Sequence, residues 1–146
     1  MRAVVQRVSE ASVTVDGEVV GSIGPGLCVL IGVTHGDTPA QADKLARRLA
    51  KLRIFADDAQ KMNCSVLDVG GQVLVVSQFT LYGEASRGNR PSYSLAARPE
   101  EAEPLVERVS ATLREQGIYV ANGRFGANMD VRLLNQGPVT LILDVD

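Results

Sequence analysis

The stretch RAVVQRVSEASVTVDGEVVGSI, residues 2–23, decides the fold. Val4, Val8, Val13, Val15 and Val19 recur among polar partners, the alternation of strands with one face buried. Asp16-Gly17 supplies the residue types of a tight two-residue turn. Strands are therefore expected over residues 2–9 and 12–23, with the turn at Asp16-Gly17, so that the chain opens with a β-hairpin.

Outward from that hairpin, Leu27 to Val33 is a short apolar run rich in branched residues, which fits a strand buried on both faces. Thr38-Pro39-Ala40-Gln41 then reads as a helix start: a capping hydroxyl, proline at the first helical position and glutamine three residues after the cap. Leu45, Leu49 and Leu52 form its apolar stripe, and Lys44, Arg47, Arg48 and Lys51 fill the rest of the cylinder. After Gly70-Gly71, alternation and β-branched content predict a long strand from Gln72 to Tyr82. Residues 83–97 are a polar loop. A second helix begins at Pro99 or at Pro104 and runs to Gln116, with Leu105, Val109 and Leu113 inward and Gly117 as its stop. Strands at Ile118–Ala121, Asn128–Leu134 and Val139–Val145 finish the chain. Strands outnumber the two helices, so the expected class is α/β: a mixed sheet, barrel-like or a three-layer ββα arrangement, carrying the helices on one side.

The chain has 146 residues, 45% of them hydrophobic and 22% charged, which suits one domain over 1–146. Cys28 lies in an apolar run and Cys64 in a polar loop, and neither belongs to a disulfide framework or a metal-ligand cluster. No metal and no cofactor are expected. No apolar stretch approaches the length of a membrane span, so no membrane partner and a cytoplasmic location are expected. The net charge of -2 means that any attraction to nucleic acid must come from a local patch.

Side-chain nucleophilic machinery is hard to build here. The single histidine, His35, sits in a His-Gly-Asp turn, where a loop residue is the plain reading and no Ser-His-Asp triad is expected. In the strand ending Val75-Val76-Ser77-Gln78-Phe79-Thr80-Leu81-Tyr82, alternation puts Gln78, Thr80 and Tyr82 on one face, which is either a strand emerging into solvent or a polar site. Asn135-Gln136-Gly137-Pro138-Val139-Thr140 sets a Gly-Pro dipeptide between two strands, either a plain turn or a place of close backbone approach. Residues 41–53 hold Lys44, Arg47, Arg48, Lys51 and Arg53 against Asp43, and Arg87, Arg90 and Arg98 punctuate the loop. Each basic group is either a solvated face or a phosphate contact.

Taken together, MRAVVQRV, ASVTVDG, LRIFADD, KMNCS, VSQFTLYG, GNRPSY, FGANMDV and NQGPVT resemble the D-aminoacyl-tRNA deacylases over nearly the full chain. The most specific motifs are SQFTL at Ser77 to Leu81 and N-x-G-P-V-T at Asn135 to Thr140. Gln136 at the variable position, Gly83-Glu84 after Tyr82 and Asn122 before Gly123 are small departures. A sister family that edits L-alanine on tRNA has different residues around the equivalent strand, and Ser77 and Phe79 favour the D-specific branch.

The resemblance implies a homodimer acting on aminoacyl-tRNA, in which Gly137-Pro138, with its bond cis, projects into the partner's pocket and excludes L-amino acids. It implies catalysis around Ser77, Gln78, Phe79 and Thr80, assisted by the tRNA's own 2′-hydroxyl, and removal of glycine as well as D-amino acids. It further implies an adenosine pocket near Phe125, Gly126, Ala127 and Met129, with Arg7 supporting the Gly-Pro loop. The rival readings are a non-catalytic RNA-binding module, for which three Phe, three Tyr and no Trp give little stacking surface, and a dimeric scaffold.

Overall fold

The alternating valines of the N-terminal stretch fall in one strand, β1 (Arg2–Val15), which turns through Asp16 and Gly17, both at positive φ, into β2 (Glu18–Ile23). In chain order there follow β3 (Gly26–Gly32), α1 (Pro39–Lys51), β4 (Phe55–Ala56), β5 (Met62–Cys64), β6 (Gln72–Ser77), a 3₁₀ helix (Phe79–Tyr82), α2 (Pro99–Glu115), β7 (Tyr119–Asn122) and β8 (Asp130–Asp144). This computed structural model describes all residues from Met1 to Asp146.

β3, β6 and β7 run parallel, β6 and β7 each being reached by a crossover that includes a helix, and β1 pairs antiparallel with β3, β2 and β8. The sheet order β2-β1-β3-β6-β7 curls until its ends nearly meet. Gly21 on β2 is pressed against β7: a Cβ there would sit 2.4 Å from the Asn122 carbonyl oxygen. Only glycine lets the two strands come so close. The result is a nearly closed barrel with β8 laid along the outside of β1.

Period-two alternation on the parallel strands sorts their side chains into two cores. Leu27, Val29, Ile31, Val73 and Val75 face α1 and α2, where Leu45, Leu49, Val109 and Leu113 meet them. Cys28, Leu74 and Val76 point the other way and fill the barrel with Val8, Val13 and Ile23. Both helices lie on the first side, as the sequence predicts. The Thr38 capping box is fully formed, and Pro99 rather than Pro104 starts α2.

Four expectations need correction. No break separates residues 2–9 from 12–23; β1 stays extended because β8 pairs with it from Arg2 to Thr14, beyond where β3 leaves off. The strand predicted for Gln72–Tyr82 ends at Ser77. Its partner β3 stops at Gly32 and β7 stops opposite Val75, so after a last bond from Gln78 N to the Ile31 carbonyl at 2.7 Å the chain closes on itself, Leu81 and Gly83 donating to the carbonyls of Gln78 and Thr80. Gln78, Thr80 and Tyr82 therefore do not share a strand face.

The strands Asn128–Leu134 and Val139–Val145 are one element. β8 is continuous, and its pairing steps from Val8↔Asn135 to Gln6↔Thr140, so residues 136–139 bow out of the ladder. Finally, the small ribbon of β4 and β5 was not anticipated; it is too short for a periodic signal.

Candidate active site

Where β6 runs out of partners, its end and the turn after β7 enclose a cavity of about 630 Å³. Ser77, Gln78 and Phe79 line it from one side, and Phe125, Gly126, Ala127 and Met129 from the other. Two groups of residues that the sequence keeps nearly fifty positions apart thus share one hollow. Gly123 prolongs the sheet by donating to the Val75 carbonyl at 3.0 Å, and Ala127 closes the turn on the Arg124 carbonyl at 3.1 Å. The lower wall is apolar, formed by Val33, Val76 and Val131.

The start of α2 and the loop before it complete the rim with Tyr93 and Ala96, expected only in a polar loop, Arg98, expected as a solvated or phosphate-contacting cation, and Pro99, expected as a helix start. The Tyr93 ring packs edge-on against Phe79, centroids 5.2 Å apart at 71°. Tyr93 belongs to the quoted GNRPSY motif, which was the available signal. Ala97 donates to the Val33 carbonyl at 2.9 Å and holds this rim to the end of β3.

The residue types around the cavity bound its chemistry. No carboxylate, cysteine or histidine lines it. His35 is outside, its Nε2 2.7 Å from the Ser94 carbonyl oxygen. Thr80 is exposed just beyond the lining residues, with its hydroxyl against the Gln78 amide. Burial, then the nearby Asp37 charge, push the Tyr82 phenol up to about 12, so it stays protonated in neutral solution. Main-chain donors are available: the N–H groups of Phe79 and Thr80 open the 3₁₀ helix and have no partner within it, and the Gln78 side chain does not cap them.

Gly137 and Pro138 do not line this cavity within one chain. They form the tip of the outward bow in β8, joined by a cis peptide bond. Asn135 fastens the bow at its base, accepting from Val139 N at 2.9 Å and donating to Thr140 Oγ1 at 2.8 Å. Arg7 holds its side, donating from Nε to the Gln136 carbonyl at 3.1 Å and from Nη1 to the Ile54 carbonyl at 2.7 Å. Gly137 has φ +134°, and a Cβ there would lie 2.8 Å from Val139 Cγ2 and 3.1 Å from Arg7 Nη2. Arg7 and Asn135 thus both contact the bow, and of the two only Arg7 was expected beside it.

Comparison with known proteins places the chain. It is 61% identical to a D-aminoacyl-tRNA deacylase of Brevibacillus brevis, over 99% of both chains. It is 58% identical to one from Thermus aquaticus, over 99% of this chain and 95% of that one. The solved structure of a c-Myc DNA Unwinding Element Binding Protein superposes with a TM-score of 0.91 at 42% identity, covering 99% of this chain and 98% of the other. A probable eukaryotic D-amino acid tRNA deacylase shares the fold, with a TM-score of 0.85 at 16% identity and 97% coverage of each. The class is that of hydrolases acting on ester bonds. Within it, the D-Tyr-tRNA(Tyr) deacylase family matches residues 4–144, and the chain belongs to that family.

Proposed function

We propose that this protein hydrolyses the ester between a D-amino acid, or glycine, and the 3′ end of tRNA, by catalysis in which the tRNA takes part. The observation that carries this reading is the cavity's lack of any side-chain base beside a pair of unpartnered main-chain N–H groups. An aminoacyl ester is already activated, so stabilising the oxyanion at Phe79 and Thr80 supplies a large part of the catalysis, about 3–4 kcal/mol per donor. The 2′-hydroxyl of the terminal adenosine, seated near Phe125, Gly126, Ala127 and Met129, is the group that assists water. Ser77 and Gln78 shape the same wall.

Selectivity in this reading is steric. The carbonyls of Gly137 and Pro138, held by Arg7 and Asn135, enter the cavity of a partner subunit and occupy the space an L side chain needs. A D side chain points outward, and glycine has nothing to reject. A homodimer is supported by β8, which pairs only with β1 and exposes Leu134, Leu141 and Ile142 along its length. Such an apolar edge suits an isologous interface between two copies. The expected location is cytoplasmic; no helix is long and apolar enough to cross a membrane.

The test is one deacylation assay with D-, L- and glycyl-tRNA at catalytic protein concentration. Loss of ester from the D and glycyl substrates with the L substrate spared supports the reading. Absence of glycyl-tRNA hydrolysis beside good D activity overturns the steric account, and absence of all hydrolysis favours an RNA-binding module.

A further inference from the structure

We propose that the outer face of α1 grips the phosphates of the tRNA body for the partner subunit's cavity rather than for its own. The proposal rests on the cross-subunit deacylase reading above and adds to it the surface that holds the substrate.

Lys44, Arg47, Arg48, Lys51 and Arg53 surround one open concavity of about 390 Å³, with Leu52 as its only apolar member. All five are exposed, and none belongs to an ion pair. The one acid of the helix, Asp43, is turned away and held by Arg108 and Thr112. Lys44, Arg47, Arg48 and Lys51 are spaced three and four apart, so like charges stand next to one another along the helix at a cost to its stability. Asp43 and Asp68 attract Arg47 and Arg53 only at a distance, and no carboxylate pairs with any of the five, whereas a polyanion would offset the repulsion. Arg48 and Arg53 are tethered to the carbonyls of Asp144 and Asn63 at 2.9 and 3.0 Å, which fixes their direction without an ion pair. In a chain of net charge -2 this concentration of unpaired cations is a local attractor for phosphate.

Its place in the fold says which cavity it serves. Val33 lines the cavity just before α1 begins, and α1 then carries the chain about 20 Å along its axis. Beyond its far end, past Leu52 and Arg53, the Ile54 carbonyl takes the hydrogen bond from Arg7 that also fixes Gln136. The basic concavity therefore adjoins the base of the Gly-Pro bow. When that bow enters the partner's cavity, the cations beside it are carried toward the mouth of that cavity.

The experiment compares D-tyrosyl-tRNA with 3′-O-D-tyrosyl-adenosine, which carries the ester but no tRNA body. In the Arg47→Glu/Lys51→Glu protein, KM for the tRNA substrate should rise about tenfold or more, and the slope of log KM against log salt should flatten by about 0.9 for each lost contact. Hydrolysis of the adenosine ester should be unchanged, and Arg47→Lys should behave as wild type. An unchanged KM for the tRNA would overturn the proposal. Failure of the wild-type protein to hydrolyse either ester would overturn the deacylase reading itself.

Mixed dimers then decide the side. One subunit has its cavity blocked by Ala127→Trp, and the reversed α1 is placed either on that subunit or on its partner. Gripping in trans predicts a raised KM only when blockage and reversal share a subunit. The opposite pattern, or equal KM values, would overturn it.

Discussion

Arg7 donates from Nε to the main-chain carbonyl of Gln136 at 3.1 Å, binding the middle of the first strand to the bow in the last. Its Nη1 reaches Ile54 as well, so one planar guanidinium spans two carbonyls with a rigid fork that a lysine ammonium lacks. The Gly-Pro tip is held by this fork on one side and by Asn135 on the other.

Arg7→Ala should therefore loosen the tip without opening the cores. The ratio of kcat/KM for D- over L-aminoacyl-tRNA is expected to fall about tenfold or more, equivalent to some 1.4 kcal/mol of discrimination. Parallel assays on matched D and L substrates measure it. A ratio equal to wild type would mean that Asn135 alone fixes the loop.

Thr80→Ala should retain most activity, because the main-chain N–H and not the hydroxyl is the proposed donor. A 2′-deoxy terminal adenosine should instead lower the rate by about a hundredfold or more, the usual loss with a general acid or base. Single-turnover rates on the two tRNAs, with both proteins, decide between them; the reverse pattern would place catalysis on the threonine.

Gly21→Ala should open the seam between β2 and β7, since the new Cβ would fall 2.4 Å from the Asn122 carbonyl oxygen. Overpacking of this kind costs about 1–3 kcal/mol. Thermal melting should show a fall in Tm of roughly 2–12 °C for a chain of this size. An unchanged melt would show that the seam yields freely.

Asp43 joins the helices through Arg108 and Thr112, whose hydrogen bonds, Arg108 first, hold its carboxyl below the usual 3.8. A carboxylate whose folded value is depressed contributes stability above its unfolded value and loses it as pH falls through the folded one. Asp43→Asn should thus melt below wild type at neutral pH, and the gap should close as pH drops below 3.8. A gap persisting in acid would assign the effect to packing.

A buried thiol offers a separate check. Burial pushes Cys28 up to about 11, while Cys64 is only partly covered. One equivalent of a thiol reagent should react in the native protein at neutral pH and two after unfolding. Two fast equivalents in the native state would mean that the barrel core is open.

Local chemistry made much of this protein legible from its sequence. The Asp16-Gly17 turn, the capping box at Thr38, the doubly buried run at Leu27 and the leucine stripe of α1 are each decided within a few residues by backbone preference and periodicity. The motif pairs around Phe79 and Pro138 could be read as a site only through their resemblance to a family, because spacing alone cannot tell a polar strand end from a catalytic wall.

Tertiary structure decided what depends on partners distant in the chain. Whether residues after Ser77 stay extended depends on where β3 and β7 stop, and whether residues 130–144 form one strand depends on the length of β1 beside them. A ladder continues only while a neighbour offers hydrogen bonds. The joining of Ser77–Phe79 with Phe125–Met129 in one cavity, and the setting of the α1 cations beside the Gly-Pro bow, follow from how sheet and helices stack, which no local pattern encodes.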